Sequence, residues 1–207
     1  MKLIKQKIKI LEDKTFVDCI AEDNFEKVKI TVNSNNQITI KDKTFEECVF
    51  ENIDFSNIEL INIDLVDVIF KNCDLSNKDF SKRSVNRVSF INCKCMGIDF
   101  SNSLLRDVSI MGSNFYYVNF FKSNIKDVVI NNSNLRESSF SYTILKNIDL
   151  EEAILDKSEV FKTSMKSIDV STSSIIGIRI DYESLKGMIV NYDQAVNLAL
   201  LLGIVIK

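Results

Sequence analysis

Ile53-Asp54-Phe55-Ser56-Asn57 is followed at once by Ile58-Glu59-Leu60-Ile61-Asn62 and Ile63-Asp64-Leu65-Val66-Asp67, each quintet with an apolar residue at its centre. Followed outward in both directions, the register holds. Every fifth residue from Phe45 to Ile180 is apolar, 28 positions without a break, and ten of the 14 Phe fall in this one slot. At a 45% apolar background, chance gives such a run about once in 10¹⁰ trials, so the period is a signal.

The slot two residues before each centre is also selective. It holds 13 aliphatics or Ala, nine Ser or Thr, and Cys48, Cys73 and Cys93; only Lys43, Lys78 and Arg83 are charged. Inward residues therefore fall at gaps of two and three in alternation. A gap of two is extended backbone, and a gap of three must turn a corner. Neither a helix nor an unbroken strand repeats in this way. The chain winds, with one short face per quintet.

Chemical coherence of the columns sets the number of faces per coil. At a spacing of 20, one column reads Cys48, Val68, Val88, Val108, Val128, Ile148, Ile168. Another reads Ile53, Cys73, Cys93, Ser113, Ser133, Ala153, Ser173. A spacing of 15 scrambles them, so a coil has four faces. Phe80, Phe100, Phe120 and Phe140 then stack, and the β-branched column suits a ladder of extended residues.

Composition excludes several functions. The 207 residues include five Gly and no Pro, His or Trp, with 27% charged residues and a net charge of −3. That length supports one sizeable core. Without His there is no Ser–His or Cys–His catalysis and no His-ligated zinc. No GxGxxG or GxxxxGKS phosphate loop is present. The charge argues against direct nucleic-acid binding. The reading is therefore no enzyme and no cofactor. The lysine-rich start is unlike a secretory leader, and the longest apolar run, Ala195–Ile206, is about half a membrane span. A cytoplasmic protein without membrane contact is expected. Zero Pro and scarce Gly are odd for a fold full of turns.

The quintets, such as Ile53-Asp54-Phe55-Ser56-Asn57 and Ser133-Asn134-Leu135-Arg136-Glu137, resemble the pentapeptide-repeat family from Lys43 to Tyr182. The resemblance implies an all-β, right-handed quadrilateral β-helix. The 28 quintets give about seven coils, a rod of roughly 34 Å. The tail is similar to that of Qnr-type quinolone-resistance members of the family. The similarity rests on Leu185-Lys186-Gly187-Met188-Ile189-Val190-Asn191, Gln194-Ala195 and Leu201-Leu202-Gly203-Ile204. Asn191 reads as an N-cap with Gln194 at N3, opening a helix over 192–202 that ends at Gly203. The helix is apolar nearly all round and needs burial on two sides. The rod end supplies one. A second copy is expected to supply the other, through Val196, Leu198, Leu201, Leu202 and Ile204.

The division expected is a strand-rich N-terminal cap over 1–24, a β-helix over 25–180, and a C-terminal capping and dimerisation segment over 181–207. Residues 25–44 read as an imperfect first coil, with Ile8 and Ile10 continuing the columns of Val28 and Ile30. The polar run Asn33–Asn36 suits a hairpin or bulge. Lys2, Lys5, Lys7 and Lys9 read as edge-strand solubilisers.

Four features stand out against this background. Cys73, Cys93 and Cys95 converge, and the reading is reduced core thiols in preference to a metal site. Lys78 and Arg83 occupy inward slots, which predicts a local distortion or pairing with Asp79 or Asp99. Tyr116, Tyr117 and Phe121, with Phe161 and Tyr142 nearby, are outward aromatics that suggest a contact surface. From Glu46 to Asp79 there are nine acids, among them Glu51, Asp54, Glu59, Asp64 and Asp67, against Lys71 and Lys78. The resemblance implies a DNA-imitating rod of that kind, engaging DNA gyrase or topoisomerase IV, with shielding from quinolones as a consequence. The alternative is a scaffolding solenoid that binds another protein through the aromatics.

Overall fold

The computed structural model describes residues 3–206. Its backbone repeats every 20 residues. Five eight-residue strands, Asp64–Lys71, Ser84–Ile91, Leu104–Met111, Asn124–Asn131 and Ile144–Glu151, pair in parallel, each with the next. Leu65 lies beside Val85, and Ile125 beside Leu145. Each strand spans two faces of the coil. The other two faces pair through short strands such as Ile38–Lys41 with Ile58–Ile61, and through single bridges such as Asp54–Asp74 and Asp79–Asp99. The same offset runs from Lys29–Val49 to Asp169–Ile189, about eight turns in all. The solenoid is the four-sided pentapeptide-repeat β-helix, with residues 25–44 as a turn ahead of the seven counted from the repeat.

The scarcity of Gly and Pro has a structural answer. Nearly every quintet bends at the second residue after its centre, which takes a left-handed conformation, for example Asn52 (φ 60°), Asn72 (53°), Asp107 (52°) and Asn132 (46°). Asn and Asp tolerate this region because their short polar side chains bond locally. Gly97, Gly112, Gly177 and Gly187 take four of the others, and Lys, Glu, Arg, Tyr and Ser fill the rest, so at most corners the stacked turns impose the bend on residues that do not favour it. Where the corner is tight, the Asp or Asn before the centre closes it. Asp54 Oδ1 accepts from Ser56 N–H at 2.8 Å and Asp99 Oδ1 from Ser101 N–H at 2.7 Å.

Centre-slot residues fill the bore. Phe50, Phe70 and Phe90 stack with centroids 5.2 and 5.3 Å apart, and Phe80, Phe100, Phe120 and Phe140 at 5.7, 5.7 and 5.1 Å. Inward hydroxyls tie one turn to the next. Ser103 Oγ donates to Phe80 O at 2.6 Å, Thr143 Oγ1 to Phe120 O at 2.6 Å, and Thr163 Oγ1 to Phe140 O at 2.6 Å.

Both ends are closed by helices. At the N-terminus, α1 (Phe16–Ala21) is opened by a Thr15/Asp18 capping box and seats Phe16 against Phe50 and Phe55. The cap therefore has a helix and one two-residue strand, Glu12–Asp13, where a strand-rich cap was expected. Residues 3–10 lie across the coils instead of continuing them, so Ile10 is exposed and does not join the Ile30 column. Lys5, Lys7 and Lys9 sit on that crossing segment, not on an edge strand; Lys2 lies outside the described residues. No hairpin forms at Asn33–Asn36. Val28–Ile30 and Ile38–Lys41 belong to different faces, and the Asn33 side chain takes the place of a strand, accepting from Asp54 N–H at 2.7 Å. At the other end, α2 (Tyr182–Leu185) leads to α3 (Tyr192–Leu201). Among the described residues no helix is long and apolar enough to cross a membrane.

Candidate partner-binding surfaces

The outward aromatics form two separate pairs. Tyr116 and Tyr117 share one quintet, with ring centroids 4.1 Å apart. Tyr116 Oη donates to Glu137 Oε1 at 3.0 Å, and the neighbouring Tyr117 hydroxyl and Glu137 together push the Tyr116 phenol well above its usual range. Tyr117 stays half exposed. With Arg136, Asp156 and Lys157, Tyr116 borders an open cleft of about 560 Å³. Phe121 lies on the next face and meets Tyr142 edge-on at 5.6 Å, with Lys122 Nζ 5.1 Å from its ring. Phe161, two turns on, is exposed. The three aromatics expected to act together thus straddle a corner.

The acidic residues are spread around the coil, and each has internal partners. Glu51 is bridged by Lys71 at 2.7 Å and Lys29 at 3.2 Å, which hold its carboxyl below the usual range. Asp54 is lowered by the Ser56 N–H. Glu59 accepts from Thr39 Oγ1 at 3.0 Å, and Asp64 from Ser84 N–H at 2.7 Å. Asp67 is buried. Burial raises its pKa, but two Arg87 bonds at 2.6 Å and the Lys7 N–H outweigh that and hold it low. Most of the charge seen as one block in the chain is therefore engaged locally.

Lys78 and Arg83 leave the coil undistorted, because the bridge Asp79–Asp99 and the pair Ser84–Leu104 keep the regular offset. Neither pairs with Asp79 or Asp99. Lys78 turns out of the bore, and its Nζ donates to Ile58 O at 2.8 Å, where burial pushes the ammonium pKa down. Arg83 Nε reaches Ser81 O at 3.4 Å. The cysteines are all buried and free. Burial pushes the Cys48 thiol up to about 12, so it stays protonated at neutral pH. Cys73 and Cys93 donate to Phe50 O and Phe70 O at 3.3 and 3.4 Å, the same role that hydroxyls play in later turns. Among the described residues no three His, Cys, Asp or Glu side chains form a group able to hold a metal ion.

The C-terminal end is built as the capping box requires. Asn191 Oδ1 accepts from Gln194 N–H and Gln194 Oε1 accepts from Asn191 N–H, both at 2.9 Å. Gln194 Nε2 also donates to Val170 O and Ser173 O at 2.9 and 2.7 Å, bolting α3 to the last complete turn. Leu198 is buried against its own rod and Val196 is half-buried, whereas Leu201, Leu202 and Ile204 are exposed. Leu200, Val205 and Ile206 extend the exposed set. The helix ends at Leu201 with Leu202 as its cap, one residue short of the expected end, and Gly203 follows with φ +76°.

Residues 63–140 match the family described as Pentapeptide repeat region. No curated protein matches the sequence significantly. Among solved structures, the chain is similar to full-length QnrB1, a plasmid-mediated fluoroquinolone resistance protein, at 19% identity and a TM-score of 0.42, covering 86% of this chain and 89% of that one. It is also similar to HetL of the cyanobacterium Nostoc, a pentapeptide repeat protein involved in regulating heterocyst differentiation, at 14% identity and 0.42, covering 84% and 92%. A pentapeptide repeat protein of the Arabidopsis thaliana thylakoid lumen matches at 22% and 0.32, covering 61% and 74%.

Proposed function

Because the chain is a pentapeptide-repeat solenoid, we propose that it is a non-catalytic protein-binding rod. Two copies pair tail to tail and engage a type II topoisomerase, DNA gyrase or topoisomerase IV, in place of duplex DNA. Shielding of that enzyme from quinolones is the consequence to test. The observation that carries the reading is the C-terminal end. There a capped helix spends Leu198 and Gln194 on its own rod and leaves Leu201, Leu202 and Ile204 in water. Exposed apolar residues this concentrated mark an association surface, and a second copy supplies the matching one by symmetry. The rod has regularly spaced acids, such as Glu59, Asp79 and Asp99 stacked along one face. Repeated charge along a narrow cylinder is the property through which duplex DNA attracts basic clefts.

Supercoiling by purified gyrase is the test. Micromolar protein is expected to inhibit supercoiling, or to relieve its inhibition by a fluoroquinolone; neither effect at that concentration overturns the topoisomerase reading. Light scattering tests the pairing separately, with twice the chain mass expected and the monomer mass for Leu201→Lys/Ile204→Lys.

A second reading rests on Tyr117, Phe121, Tyr142 and Phe161. These are exposed or half-exposed aromatics, of the type enriched in the buried centres of protein interfaces. On it the rod is a scaffold for another protein. Phe121→Ala/Tyr142→Ala is then expected to abolish capture of that partner while leaving supercoiling by gyrase untouched.

A further inference from the structure

Residues 3–10 carry an arrangement that the rod's ends and faces do not explain. Ile4 N–H donates to Asp107 Oδ1 at 3.1 Å, Gln6 Nε2 to Ser89 Oγ at 2.7 Å, and Lys7 N–H to Asp67 Oδ1 at 2.9 Å. The three acceptors belong to three consecutive turns, so the segment runs along the rod axis, across the strands. The spacing is matched. Three residues of extended chain cover ~10 Å, and two turns of stacked strands cover about the same. Every third main-chain N–H of an extended segment therefore meets the corner residue of every second turn.

The floor of this track is built for the purpose. Asp67 and Asp107 occupy left-handed corner slots, with φ of 55° and 52°, and are 3% and 4% exposed beneath the segment. Asp127 continues the column one turn further on, between the paired positions Arg106–Lys126 and Val108–Val128. Beside residues 3–6 the track widens into a cleft of about 710 Å³ that reaches Met111 and Val129. The segment itself buries little. Ile4 is 53% and Ile10 83% exposed, whereas Phe16 a few residues later is 1% exposed. Its hold comes from main-chain donors and one amide, which read an extended backbone and few particular side chains.

We infer that the corner track over Asp67, Ser89 and Asp107 is a docking site for an extended peptide. The chain's own residues 4–7 occupy it in cis, and a partner protein displaces them. The partner segment offers main-chain N–H groups at positions i and i+3, whose bonds to carboxylates are charge-assisted and so of the stronger kind, and an amide or hydroxyl donor at i+2. This site stands apart from the topoisomerase reading, and neither depends on the other.

The probe is a fluorescent peptide of the sequence Leu3-Ile4-Lys5-Gln6-Lys7-Ile8-Lys9-Ile10-Leu11, titrated against the full chain. Ile4→Pro/Lys7→Pro in the chain removes both N–H donors at positions outside every coil. The peptide is expected to bind this variant at least tenfold more tightly than the unaltered chain. Adding Asp107→Gly, which keeps the left-handed corner but removes the carboxylate, is expected to cancel the gain. Equal binding to the unaltered and proline chains overturns the proposal, and so does equal binding of a peptide with Pro at the same two positions. Loss of the coil's circular dichroism in the proline variant also overturns it, because the segment is then part of the fold and not exchangeable. Self-association of the unaltered chain that the proline pair abolishes assigns the occupant to a second copy and overturns the partner assignment.

Discussion

The four turns that start at Phe45 and the three that follow them fill the same coil differently. Between Phe45 and Phe120 the bore is filled by stacked rings, and the inward corner slots are largely aliphatic or thiol: Cys48, Ile53, Ile58, Ile63, Cys73, Cys93. After Phe140 no Phe occupies the centre slot. Leu145, Leu150, Leu155, Val160 and Met165 take over, Leu145 is only half-buried, and an apolar cavity of about 30 Å³ opens among Leu150, Ile148, Met165 and their neighbours. Hydroxyls, which enter the inward slots at Ser103, link these turns as well. Ser138 and Ser158 bond each other at 2.9 Å, Thr143 N–H donates to Thr163 Oγ1 at 2.9 Å, and Ala153 N–H to Ser173 Oγ at 3.1 Å. The lesson is that one backbone coil accepts rings or smaller aliphatics in its bore, with polar links between turns in either case. The void in the later turns forfeits van der Waals contact.

The sharpest break in that contrast is truncation of a ring. Phe90→Ala, at the meeting point of Phe70, Phe100 and Phe115, is expected to cost about 3–5 kcal/mol, read as a lower urea midpoint. Leu150→Ala beside the existing cavity is expected to cost about 2 kcal/mol, the low end of its class. Equal costs would mean the two halves are packed alike. Next in size is the reverse substitution. Val88→Phe in the filled half is expected to destabilise by about 1–3 kcal/mol through overpacking. Leu150→Phe, which puts a ring beside the void, is expected to be neutral or to stabilise by about 1 kcal/mol. Both are read by thermal melting. Asn191→Ala removes the cap of α3 and is expected to cost about 1 kcal/mol, with faster amide exchange confined to residues 192–201.

The smallest effect is that of pH. Glu51 and Asp67, both in the filled half, have folded pKa values held below the ordinary carboxylate range by Lys71 and Lys29, and by Arg87 with the Lys7 N–H against the opposing effect of burial. A carboxyl lowered in the folded state contributes stability that is complete above the ordinary value, about 4. That stability is lost as pH falls through the folded value. Melting temperature is therefore expected to be flat at neutral pH and to drop in acid, less so in Arg87→Met, where the Asp67 bond that acid removes is already gone.

Legibility in the sequence follows the repeat. The period, the coil of four faces, the Phe80–Phe140 stack and the α3 cap are all readable, because each depends on residues at fixed offsets in one register. Even the odd composition resolves, since most left-handed corners are made by Asn, Asp and other residues and only a few by Gly. The outward surfaces are less legible. Tyr116, Tyr117 and Phe121 are close in the chain yet divided by a corner. The acids from Glu51 to Asp67 count as charge in the sequence but are bonded to Lys29, Thr39, Ser84 and Arg87 in space. Reading the corner column as Asp67, Arg87, Asp107, Asp127 was the available signal for the track under residues 4–7.

The amino-acid order alone determined which residues face inward and how far apart the turns lie. An apolar slot recurring every five residues leaves a stacked coil as the arrangement that buries them all. Only the tertiary structure decided where Lys78 turns, which acids stay free, and where residues 3–10 lie. A stacked coil brings outward side chains within reach of partners one turn above and below, and residues without the period find acceptors as distant in sequence as Asp107 is from Ile4. Periodicity specifies the core, whereas three-dimensional neighbours select among the outward conformations it leaves open.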